Sequence, residues 1–572
     1  MPKKLVMFLL LVSVFLASSW VLIFKPLFPI HDYVHGARIA EMGRALADGQ
    51  IPPRWSSNFG YGYGMPLFNF YAPLPYFVGG IFFNFGMSLE SAVKLVFLVG
   101  NLIALIGAYA LGKEKFGRAA GLLLASLYVL APYRAVNLYV RGALSESWGM
   151  ALLPLVLLGG GQVLARRPLG FFTLSVSIAA LVLSHNLTAM IALPALLILA
   201  VIWYFQSQGS KFTLSFIKEV VLRLLPPTLV GFGLSAFYLL PSVLEKNLTQ
   251  LDNLIQTGYF DFHHHFLYLR QFVQENWGYG GSGWGPDDGI SFFLGYPQLL
   301  GLMLIILLII SKLNKTGRLH WRKFITQHLL LWTTMLFFGL SVLLTTPKTV
   351  WLWENLPLLS FLQFPWRFLA LISFLLSLMV SYVVSRLVKN NPTRLVIIGI
   401  LFLSTLILSS RYFKPKEYLQ DSTALYYAEP ERIQAEMSSV LPDYLPTDLD
   451  PKLLPAPHPE FIGLTVTEMT RSEVLVSRSH AKLYQYNLEN TREIELPIAY
   501  FPGWQVEIDG EPAPAQISDR GLIQVSVPAG EARVGAVFGE TPIRMLSNII
   551  TLMSAVCLMI VYRSKILCQK IK

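Results

Sequence analysis

The chain has 572 residues, of which 54% are hydrophobic and only 14% are charged, a composition outside the range of soluble globular domains. Its formal net charge of +11 would suit a nucleic-acid-binding protein, but lysine and arginine occur in short clusters between apolar runs rather than on one soluble stretch. Composition and charge distribution therefore exclude nucleic acid as a partner and predict a polytopic protein of a lipid bilayer.

The apolar runs predict about twelve membrane-spanning helices, since a bilayer core needs about 20 apolar residues per helix. The first run is too long for a signal peptide, so we expect it to be retained as a span. Because lysine and arginine collect in cytoplasmic loops, both chain termini are expected in the cytoplasm. The expected spans are residues 5–24, 92–111, 117–131, 148–164, 170–184, 187–205, 220–244, 290–310, 328–345, 364–388, 395–410 and 545–562.

One further apolar run, at residues 67–85, does not fit the alternation of charged loops. The chain must cross the membrane an odd number of times between the first outer loop and Lys113, but two apolar runs lie there. Pro73 and Pro75 interrupt the run at 67–85, which is also rich in aromatic residues. We therefore expect it to lie in the outer interface or to re-enter from it, without crossing.

The chain is expected to divide into three parts: a transmembrane part at 1–411, an extracytoplasmic part at 412–541, and a final transmembrane helix with a basic cytoplasmic tail at 542–572. The middle part contains short runs of mostly alternating polarity. They are residues 473–477, 505–508 and 522–527, with turn residues at Asp509-Gly510 and Ala529-Gly530. The pattern predicts a small β-sandwich, preceded by an irregular linker at 418–457 that docks back on the membrane part.

Asp32 is the acid of the first outer segment. A carboxylate at the outer mouth of a membrane cavity can accept a proton from a hydroxyl group or hold a divalent metal ion. The alternative is a helix cap, because Asp32 precedes a run with apolar residues at helical spacing. In that run we expect a solvated charged face formed by Arg38, Glu41, Arg44 and Asp48.

A second candidate is the segment from Tyr133 to Trp148, which carries Arg134, Arg141 and Glu146. Ionisable residues at membrane depth are costly unless they line a cavity. Either arginine could bind phosphate through its planar fork, with Glu146 to orient it or an acceptor. A plain arginine–glutamate ion pair is the alternative.

A third candidate is His185, in the Ser184-His185-Asn186 turn between two spans. Capping accounts for the serine and the asparagine but less well for the histidine. Contact with a ligand or a phosphate is therefore the alternative for His185.

A fourth candidate is the pair Gln363 and Arg367, at the start of a span. Arg367 could extend to the interface beside Trp366. However, positively charged residues are usually depleted on the outer side of the membrane. The presence of Arg367 there therefore favours a role in binding an anion.

The outer loop at residues 245–289 contains three consecutive histidines, His263 to His265. They cannot share one face of a regular element, so a metal site is the weaker alternative. The glycine and aromatic content of the loop suits a lid over a sugar, since aromatic rings stack on its C–H face.

With these residues assembled, the chain resembles the bacterial polytopic membrane proteins described as 6-pyruvoyl-tetrahydropterin synthase-related, close to the YfhO-like proteins, within the GT-C glycosyltransferase superfamily. The resemblance covers most of the chain, and none of its residues supports pterin chemistry. It is carried by His31-Asp32 through Pro52-Pro53, Gly64 through Pro75, Arg141-Gly142-Ala143 with Glu146, Ser184-His185-Asn186, Gln363-Phe364-Pro365-Trp366-Arg367, and Tyr500-Phe501-Pro502-Gly503-Trp504 with Asp509-Gly510.

The resemblance implies a GT-C-like fold in which an outer loop with an acid is followed by two juxtamembrane helices. It also implies transfer of a hexose or pentose from a polyprenyl-phosphate carrier to an acceptor outside the cytoplasmic membrane, generally with inversion. The acceptor class is a cell-envelope polymer, a lipid or a protein. Many GT-C enzymes have two adjacent acids in this loop, whereas here His31 precedes Asp32, so a divalent cation stays an open alternative.

On this reading, Asp32 activates the acceptor hydroxyl, and Glu146 positions one of the phosphate-binding groups. The expected phosphate-binding or substrate-binding residues are His31, Arg134, Arg141, His185, Gln363 and Arg367. They should converge on one cavity that opens away from the cytosol.

Two other classes of function compete with this reading. A transporter of a lipid-linked saccharide would favour paired broken helices and a polar route through the midplane, but the ionisable residues lie near the ends of spans. A non-catalytic envelope scaffold would use its β domain to bind a wall polymer or a partner protein.

Overall fold

A computed structural model describes residues 3–209, 212–251, 257–315, 318–440 and 442–570. Helices dominate up to about residue 440, and an antiparallel β structure followed by one long helix completes the chain. The helices are α1 (Lys3–Phe24), α2 (His35–Ala47), α3 (Leu67–Phe70), α4 (Leu74–Asn84), α5 (Leu89–Phe116), α6 (Arg118–Val129), α7 (Pro132–Tyr139), α8 (Leu144–Leu164), α9 (Gly170–Ser184), α10 (Asn186–Gln208), α11 (Leu214–Leu234), α12 (Ala236–Leu244), α13 (Leu269–Val273), α14 (Tyr296–Lys315), α15 (Arg318–Gln327), α16 (Leu329–Leu344), α17 (Val350–Asn355), α18 (Pro357–Ser360), α19 (Leu369–Arg386), α20 (Asn391–Ser404), α21 (Pro430–Arg432), α22 (Val466–Arg471) and α23 (Pro542–Lys570).

Among the described residues, seven helices are long and apolar enough to cross a membrane, or ten if each of three bent helix pairs is one span. The bends are 46° between α6 and α7, 74° between α11 and α12, and 89° between α16 and the segment Pro347–Asn355. Pro132 and Pro347 begin the second segment of two pairs, where a missing N–H costs least. The shorter apolar helices Gly170–Ser184 and Tyr296–Lys312 coincide with two further predicted spans. The polytopic helical architecture is confirmed, while the bends were not visible in the apolar runs.

The run at residues 67–85 forms the two short helices α3 and α4. With 11 residues, α4 is about 17 Å long, well short of the ~30 Å hydrocarbon core. It packs against α2 at a close approach, where a Cβ added to Gly80 would lie 2.9 Å from the backbone nitrogen of Gly43. The run therefore has the form expected for helices that do not cross.

The helix α2 differs from the prediction in two respects. It begins at His35 with Val34 as N-cap and without a side-chain cap, so the capping alternative for Asp32 is wrong. Its charged face is not solvated either, because Arg38 and Glu41 are only 3% and 1% exposed. Neighbours distant in the chain cover this face, as the contacts of Glu41 with Ser56 Oγ at 2.6 Å and Asn58 Nδ2 at 2.7 Å illustrate.

The C-terminal β structure confirms the predicted sandwich. Five strands form one sheet in the order β1-β2-β8-β4-β5, and three form the other in the order β3-β7-β6. Asp509 and Gly510 form the turn between β4 and β5 with φ values of 51° and 87°, a region that glycine and aspartate tolerate. The strands are β1 (Glu473–Ser477), β2 (Ala481–Leu488), β3 (Arg492–Ala499), β4 (Trp504–Ile508), β5 (Glu511–Ala513), β6 (Gln516–Ile517), β7 (Leu522–Val527) and β8 (Gly530–Phe538).

Two ion pairs lie where the sandwich meets the helices. Arg544, in the first turn of α23, pairs with Glu245 at the end of α12 at 2.9 Å, and Arg54 pairs with Glu540, which follows β8, at 2.8 Å. We call these four residues the junction cluster. The side chains of Arg544 and Glu245 are 0% and 4% exposed, and the Arg544 guanidinium lies 4.9 Å from the centroid of the Phe538 ring. The junction therefore combines one buried ion pair with a second pair whose glutamate is exposed.

The linker that precedes the sandwich also contacts the helical part. The Leu419 backbone N–H donates to the Leu27 carbonyl oxygen at 2.9 Å, and the Tyr426 hydroxyl donates to the Phe28 carbonyl oxygen at 2.9 Å. The linker thus lies against the segment that leads from α1 into α2.

Candidate functional site

The candidate site is centred on an ion pair between Arg141 and Glu146, where α7 ends and α8 begins. The Arg141 Nη1 group donates to Glu146 Oε2 at 2.9 Å and to Asn137 Oδ1 at 2.6 Å. Its guanidinium lies 4.4 Å from the centroid of the Trp366 ring. The predicted alternative of an arginine–glutamate ion pair is therefore correct for this contact. Further charged groups lie close to the ion pair.

The Glu146 carboxylate accepts hydrogen bonds from three side chains. Besides Arg141, the Tyr133 hydroxyl donates to Oε1 at 2.5 Å and Asn137 Nδ2 donates to Oε1 at 3.3 Å. Tyr133, Asn137 and Arg141 follow one another at intervals of four residues, so α7 and its C-terminal turn present them on one face. Tyr133 and Asn137 were not among the site residues predicted from the sequence, although their spacing from Arg141 was a usable signal. The arrangement fits Glu146 as a residue that positions Arg141.

Arg367 lies beside this ion pair, on the 3₁₀ turn that leads into α19. It is within electrostatic range of both Glu146 and Arg141. Its Nη1 group donates to the Leu362 carbonyl oxygen at 2.6 Å and to Gln363 Oε1 at 3.2 Å. Its Nε group is buried without a partner, and in the described part of the chain no carboxylate forms an ion pair with Arg367. This arginine is therefore a cation without its own counter-ion.

The backbone of Gln363 holds Arg367 through a strained conformation. Gln363 has a φ of 61°, a region that residues with a Cβ rarely adopt. With this φ, both the Gln363 side-chain oxygen and the preceding Leu362 carbonyl oxygen face the guanidinium. Strain of this kind persists where the surroundings enforce it, often at binding sites.

His185 joins the cluster from the break between α9 and α10. It is within electrostatic range of Glu146 and Arg367. Its Nδ1 atom accepts a hydrogen bond from the Thr188 backbone N–H at 3.2 Å, so His185 itself is the N-cap of α10. The assignment of capping to its two neighbours in the turn 184–186 is therefore wrong. Since Nδ1 is an acceptor, the proton of the neutral ring lies on Nε2, which can donate to a ligand.

We call Arg141, Glu146, His185 and Arg367 the site cluster. It carries an excess of positive charge, because two guanidinium groups share one buried carboxylate. Burial acts to lower the pKa of Arg141, but the nearby Glu146, Tyr133 and Asp32 outweigh it and hold the pKa above its ordinary value. A fixed excess of positive charge away from bulk water fits an anion with planar or tetrahedral oxygens, such as a phosphate.

Asp32 lies next to Arg141 because their two loops are hydrogen-bonded to each other. The His31 backbone N–H donates to the Val140 carbonyl oxygen at 3.1 Å, and the Asp32 N–H donates to the Arg141 carbonyl oxygen at 2.9 Å. The Asp32 side chain is exposed. Within residues 3–209, 212–251, 257–315, 318–440 and 442–570, no group donates a hydrogen bond to its carboxylate. An acid in this state can take a proton from a hydroxyl group placed between it and the site cluster.

The loop between α12 and α14 lies over one side of the site cluster. The His31 Nε2 atom lies 3.0 Å from the Tyr279 carbonyl oxygen, and Trp366 Nε1 donates to Ser282 Oγ at 3.1 Å. His265 Nδ1 shares the Ser282 hydroxyl at 2.7 Å. His31 thus holds the covering loop rather than pointing into the site cluster.

The three consecutive histidines do not form a metal site. Among the described residues, no group of three His, Cys, Asp or Glu side chains is arranged to hold a metal ion. His263 pairs instead with Asp261 at 2.7 Å and Glu354 at 3.3 Å, and His265 is buried against Ser282. For the described part of this loop, the metal alternative is therefore wrong.

Arg134 lies apart from the site cluster, inside the helix bundle. Its Nη2 group donates to Asn101 Oδ1 at 2.8 Å, and its guanidinium lies 5.5 Å from the centroid of the Tyr128 ring. All three residues are at most 1% exposed. Of the two arginines that could bind phosphate, the structure thus places Arg141 beside the other candidates and Arg134 away from them.

An apolar groove adjoins the site cluster. Its cavity has a volume of about 430 Å³. Leu362 and Phe368 in its wall are the chain neighbours of Gln363 and Arg367, and Ile191 follows His185 on α10. The lining residues include Met190, Ile191, Leu344, Leu359, Leu362 and Phe368. The groove suits a hydrocarbon chain whose polar end reaches the site cluster.

Comparisons with known proteins support the assignment to a family. Residues 68–415 match the family model of the 6-pyruvoyl-tetrahydropterin synthase related domain, which is described as a membrane protein. An uncharacterised protein of Lactococcus lactis subsp. cremoris (strain MG1363) is 27% identical over 284 residues, or 48% of this chain and 44% of that protein.

A solved structure, the single-particle cryo-EM structure of the arabinofuranosyltransferase AftD from mycobacteria, is also similar. The similarity covers 72% of this chain and 27% of that chain, with 15% sequence identity and a TM-score of 0.39. A likeness at this level carries no argument about function. The chain spans less than half the length of either relative.

The match to the family model covers more than half of the 572 residues. It includes the whole site cluster and Gln363, whereas His31 and Asp32 precede it. On this match, the chain belongs to the family of 6-pyruvoyl-tetrahydropterin synthase related membrane proteins.

Proposed function

We propose that the protein is a GT-C-like membrane glycosyltransferase that moves a sugar from a polyprenyl-phosphate carrier to the hydroxyl group of an acceptor. The single observation that carries the proposal is the meeting of charged residues that are distant in the chain. The site cluster comes from α8, the 3₁₀ turn before α19 and two loops, and the hydrogen-bonded loops at 31–32 and 140–141 bring Asp32 beside it. An isolated acid next to a cationic cluster is what transfer from a phosphate leaving group requires.

In the proposed reaction, the acceptor oxygen forms a bond to the anomeric carbon of the sugar as the bond from that carbon to the phosphate oxygen breaks. The bonding electron pair leaves with the phosphate, and the acceptor proton passes to Asp32. Arg141 and Arg367 bind the phosphate oxygens, on which negative charge develops as the bond breaks. Because these cations are fixed before the reaction, stabilising that charge requires little reorganisation.

The remaining residues support these roles. Glu146 positions Arg141, Gln363 positions Arg367, and His185 donates from Nε2 to the phosphate. Arg134 has no part in this centre. Inversion at the anomeric carbon requires the acceptor to approach from the side opposite the phosphate, so the sugar must lie between Asp32 and the arginines.

The apolar groove beside the site cluster supports a lipid-linked donor. An isoprenoid chain in this groove would place its phosphate near Arg367 and His185, since Leu362 and Phe368 line the groove beside Arg367. Each buried methylene contributes about 0.8 kcal/mol. A soluble sugar nucleotide could not use this binding energy.

We infer the cytoplasmic membrane of a bacterium as the location, with both termini in the cytoplasm and the sandwich outside. The distribution of lysine and arginine supports this orientation. On this orientation, the site cluster and Asp32 open towards the cell envelope, where the acceptor would be a polymer, a lipid or a protein.

The test is a deletion strain rescued with the wild type, Asp32→Asn or Arg367→Gln, followed by profiling of surface glycans and lipid-linked intermediates. We expect the wild type alone to restore the missing sugar, because loss of a general base costs about 10²–10⁴-fold in rate. Both variants should accumulate the lipid-linked donor. Full rescue by Asp32→Asn would refute the proposed chemistry and favour a scaffold.

The groove has a matched control elsewhere in the molecule. Ile191→Trp should block the groove and lower transfer, whereas Ile106→Trp fills a second apolar cavity, of about 360 Å³ and lined by residues of α1 and α5. Equal loss with both variants would show that tryptophan merely perturbs the helices. Loss with Ile191→Trp alone supports donor binding in the groove.

A further inference from the structure

A second buried cation, Arg38 on α2, lies outside the site cluster. Its guanidinium carbon lies 3.8 Å from the centroid of the Tyr71 ring, and its Nη1 group donates to the Tyr76 hydroxyl at 3.1 Å. Its Nε group is buried without a partner. In the part of the chain that the structure describes, no carboxylate forms an ion pair with Arg38. A buried, charged side chain in this state is costly unless a ligand completes its surroundings.

The neighbours of Arg38 cannot neutralise it. The Tyr76 hydroxyl accepts from Arg38 and is therefore free to donate to His35 Nδ1, at 2.9 Å. His35 is neutral, because burial and Arg38 lower its pKa to about 4, and its Nε2–H donates to the Gly142 carbonyl oxygen. This chain of hydrogen bonds orients Arg38 but supplies no negative charge.

One acid, Asp443, is within electrostatic range of Arg38. Burial raises the pKa of Asp443 above its ordinary value, while the nearby Arg38 acts to lower it. Asp443, Tyr444 and Tyr71 each keep part of their surface exposed, whereas Arg38 below them is buried. The rings of Tyr71 and Tyr444 are 6.0 Å apart and nearly perpendicular. Together these groups place two partly exposed aromatic rings and an acid beside a buried cation.

Tyr71 connects this group of residues with the proposed reaction centre. Tyr71 is within electrostatic range of both Arg38 and Arg367. The Ser145 hydroxyl, next in the chain to Glu146, lies 3.5 Å from the Tyr71 hydroxyl. A sugar bound over Tyr71 would therefore lie beside the site cluster.

We propose that Arg38, Tyr71, Asp443 and Tyr444 form a subsite for an anionic saccharide, the acceptor of the transfer reaction. The guanidinium binds a carboxylate or phosphate substituent through its planar fork. The tyrosine rings stack on the C–H face of the sugar, and Asp443 accepts from a sugar hydroxyl. The identity of the ligand as acceptor rests on the proposed function, whereas anion binding at Arg38 does not.

The test is saturation-transfer NMR on the purified full chain in lipid nanodiscs, with three probes: methyl glucuronide, glucose 6-phosphate and methyl glucoside. At about 10 mM, which suits weak binding of a single sugar, we expect transfer to an anionic probe and little to the neutral one. A signal for only one anionic probe identifies the substituent as a carboxylate or a phosphate. Equal signals for the neutral and anionic probes, or no signal for any, would overturn the subsite.

Variants assign the signal to Arg38. Arg38→Gln should weaken binding of the anionic probe about tenfold or more, as expected for a lost charge-assisted hydrogen bond. Arg134→Gln is the matched control, because it removes another buried cation without a carboxylate partner, and it should bind as the wild type does. Unchanged binding by Arg38→Gln, or equal loss with Arg134→Gln, contradicts the inference.

A third variant covers the case in which Arg38→Gln does not fold. Asp443→Asn keeps a side-chain oxygen that can accept from the sugar hydroxyl but removes the neighbouring negative charge. It should therefore bind the anionic probe more tightly than the wild type, whereas weaker or unchanged binding overturns the proposal. Asp32→Asn separates the two proposals, since it should abolish transfer and leave probe binding unchanged. Binding without any transfer would leave the subsite standing and refute the proposed function.

Discussion

The junction cluster and the site cluster each contain a buried arginine–glutamate ion pair, yet their balance of charge differs. In the junction cluster two arginines meet two glutamates, Arg544 with Glu245 and Arg54 with Glu540. In the site cluster two arginines share Glu146 alone. One of the two, Arg367, is held in place by Gln363, whose backbone is strained. Balanced charge at the junction indicates a structural role, and unbalanced charge at the site indicates room for an anionic ligand.

The largest expected effect is in the junction cluster. Glu245→Ala leaves Arg544 buried without a counter-ion, which costs about 3–5 kcal/mol. We expect a marked fall in the thermal unfolding temperature of the solubilised protein. The double variant Glu245→Ala, Arg544→Ala should be more stable than Glu245→Ala alone, because it removes the isolated charge. A double variant that is less stable than the single one would contradict this account.

The second effect, on transfer, distinguishes the two clusters directly. Arg367→Ala should lower transfer about 100-fold, the usual cost of losing one charge-stabilising group. Its unfolding temperature should stay near that of the wild type, because the variant removes a cation that repels Arg141. If Arg367→Ala destabilises the protein as strongly as Glu245→Ala, the site cluster is structural like the junction.

A smaller effect is expected at Gln363. Gln363→Val places a β-branched residue at a φ of 61°, which should cost about 1–3 kcal/mol. Gln363→Gly relieves the strain but removes the oxygen that accepts from Arg367. We therefore expect Gln363→Gly to fold as stably as the wild type and to lose part of its activity. Thermal unfolding and transfer assays on both variants check this pair of outcomes.

The sequence predicted those features that depend on local composition. The spans α5 and α8 follow from uninterrupted apolar length, and β1 and β7 begin and end where the alternating pattern does. Counting charged loops predicted a run at 67–85 that does not cross, and the two short helices found there are compatible with that prediction. The bends between helices could not be predicted from the sequence, because an apolar run has the same composition whether the helix is straight or broken.

Part of the candidate site was also predictable from local composition. Arg141, Glu146 and Arg367 are conspicuous as charges at the ends of apolar helices, where they are costly without a function. Arg38 was misjudged, because an amphipathic pattern shows only which face is polar and not what covers it. Its cover, Tyr71 and Tyr444, comes from segments far away in the chain.

The smallest expected effect concerns the loop that covers the site cluster. Unlike the two clusters, this loop is held by exposed charged side chains. Partial burial acts to lower the pKa of His263, but hydrogen bonds to the carboxylates of Asp261 and Glu354 outweigh it and raise the pKa above 6.5. The stabilisation by protonated His263 is thus fully present below pH 6.5 and is lost as the pH rises through the folded-state pKa.

The difference in unfolding temperature between the wild type and His263→Asn should therefore be largest in mildly acidic solution and vanish in alkaline solution. It should also shrink in strong acid. Burial acts to raise the pKa of Asp261, but the hydrogen bonds and charge of His263 together outweigh it and lower the pKa below 3.8, so this carboxylate is protonated only in strong acid. All three side chains are about a third or more exposed, so solvent screening keeps the effect below that of any buried pair. A difference that does not vary with pH would show that the covering loop is held by its apolar contacts alone.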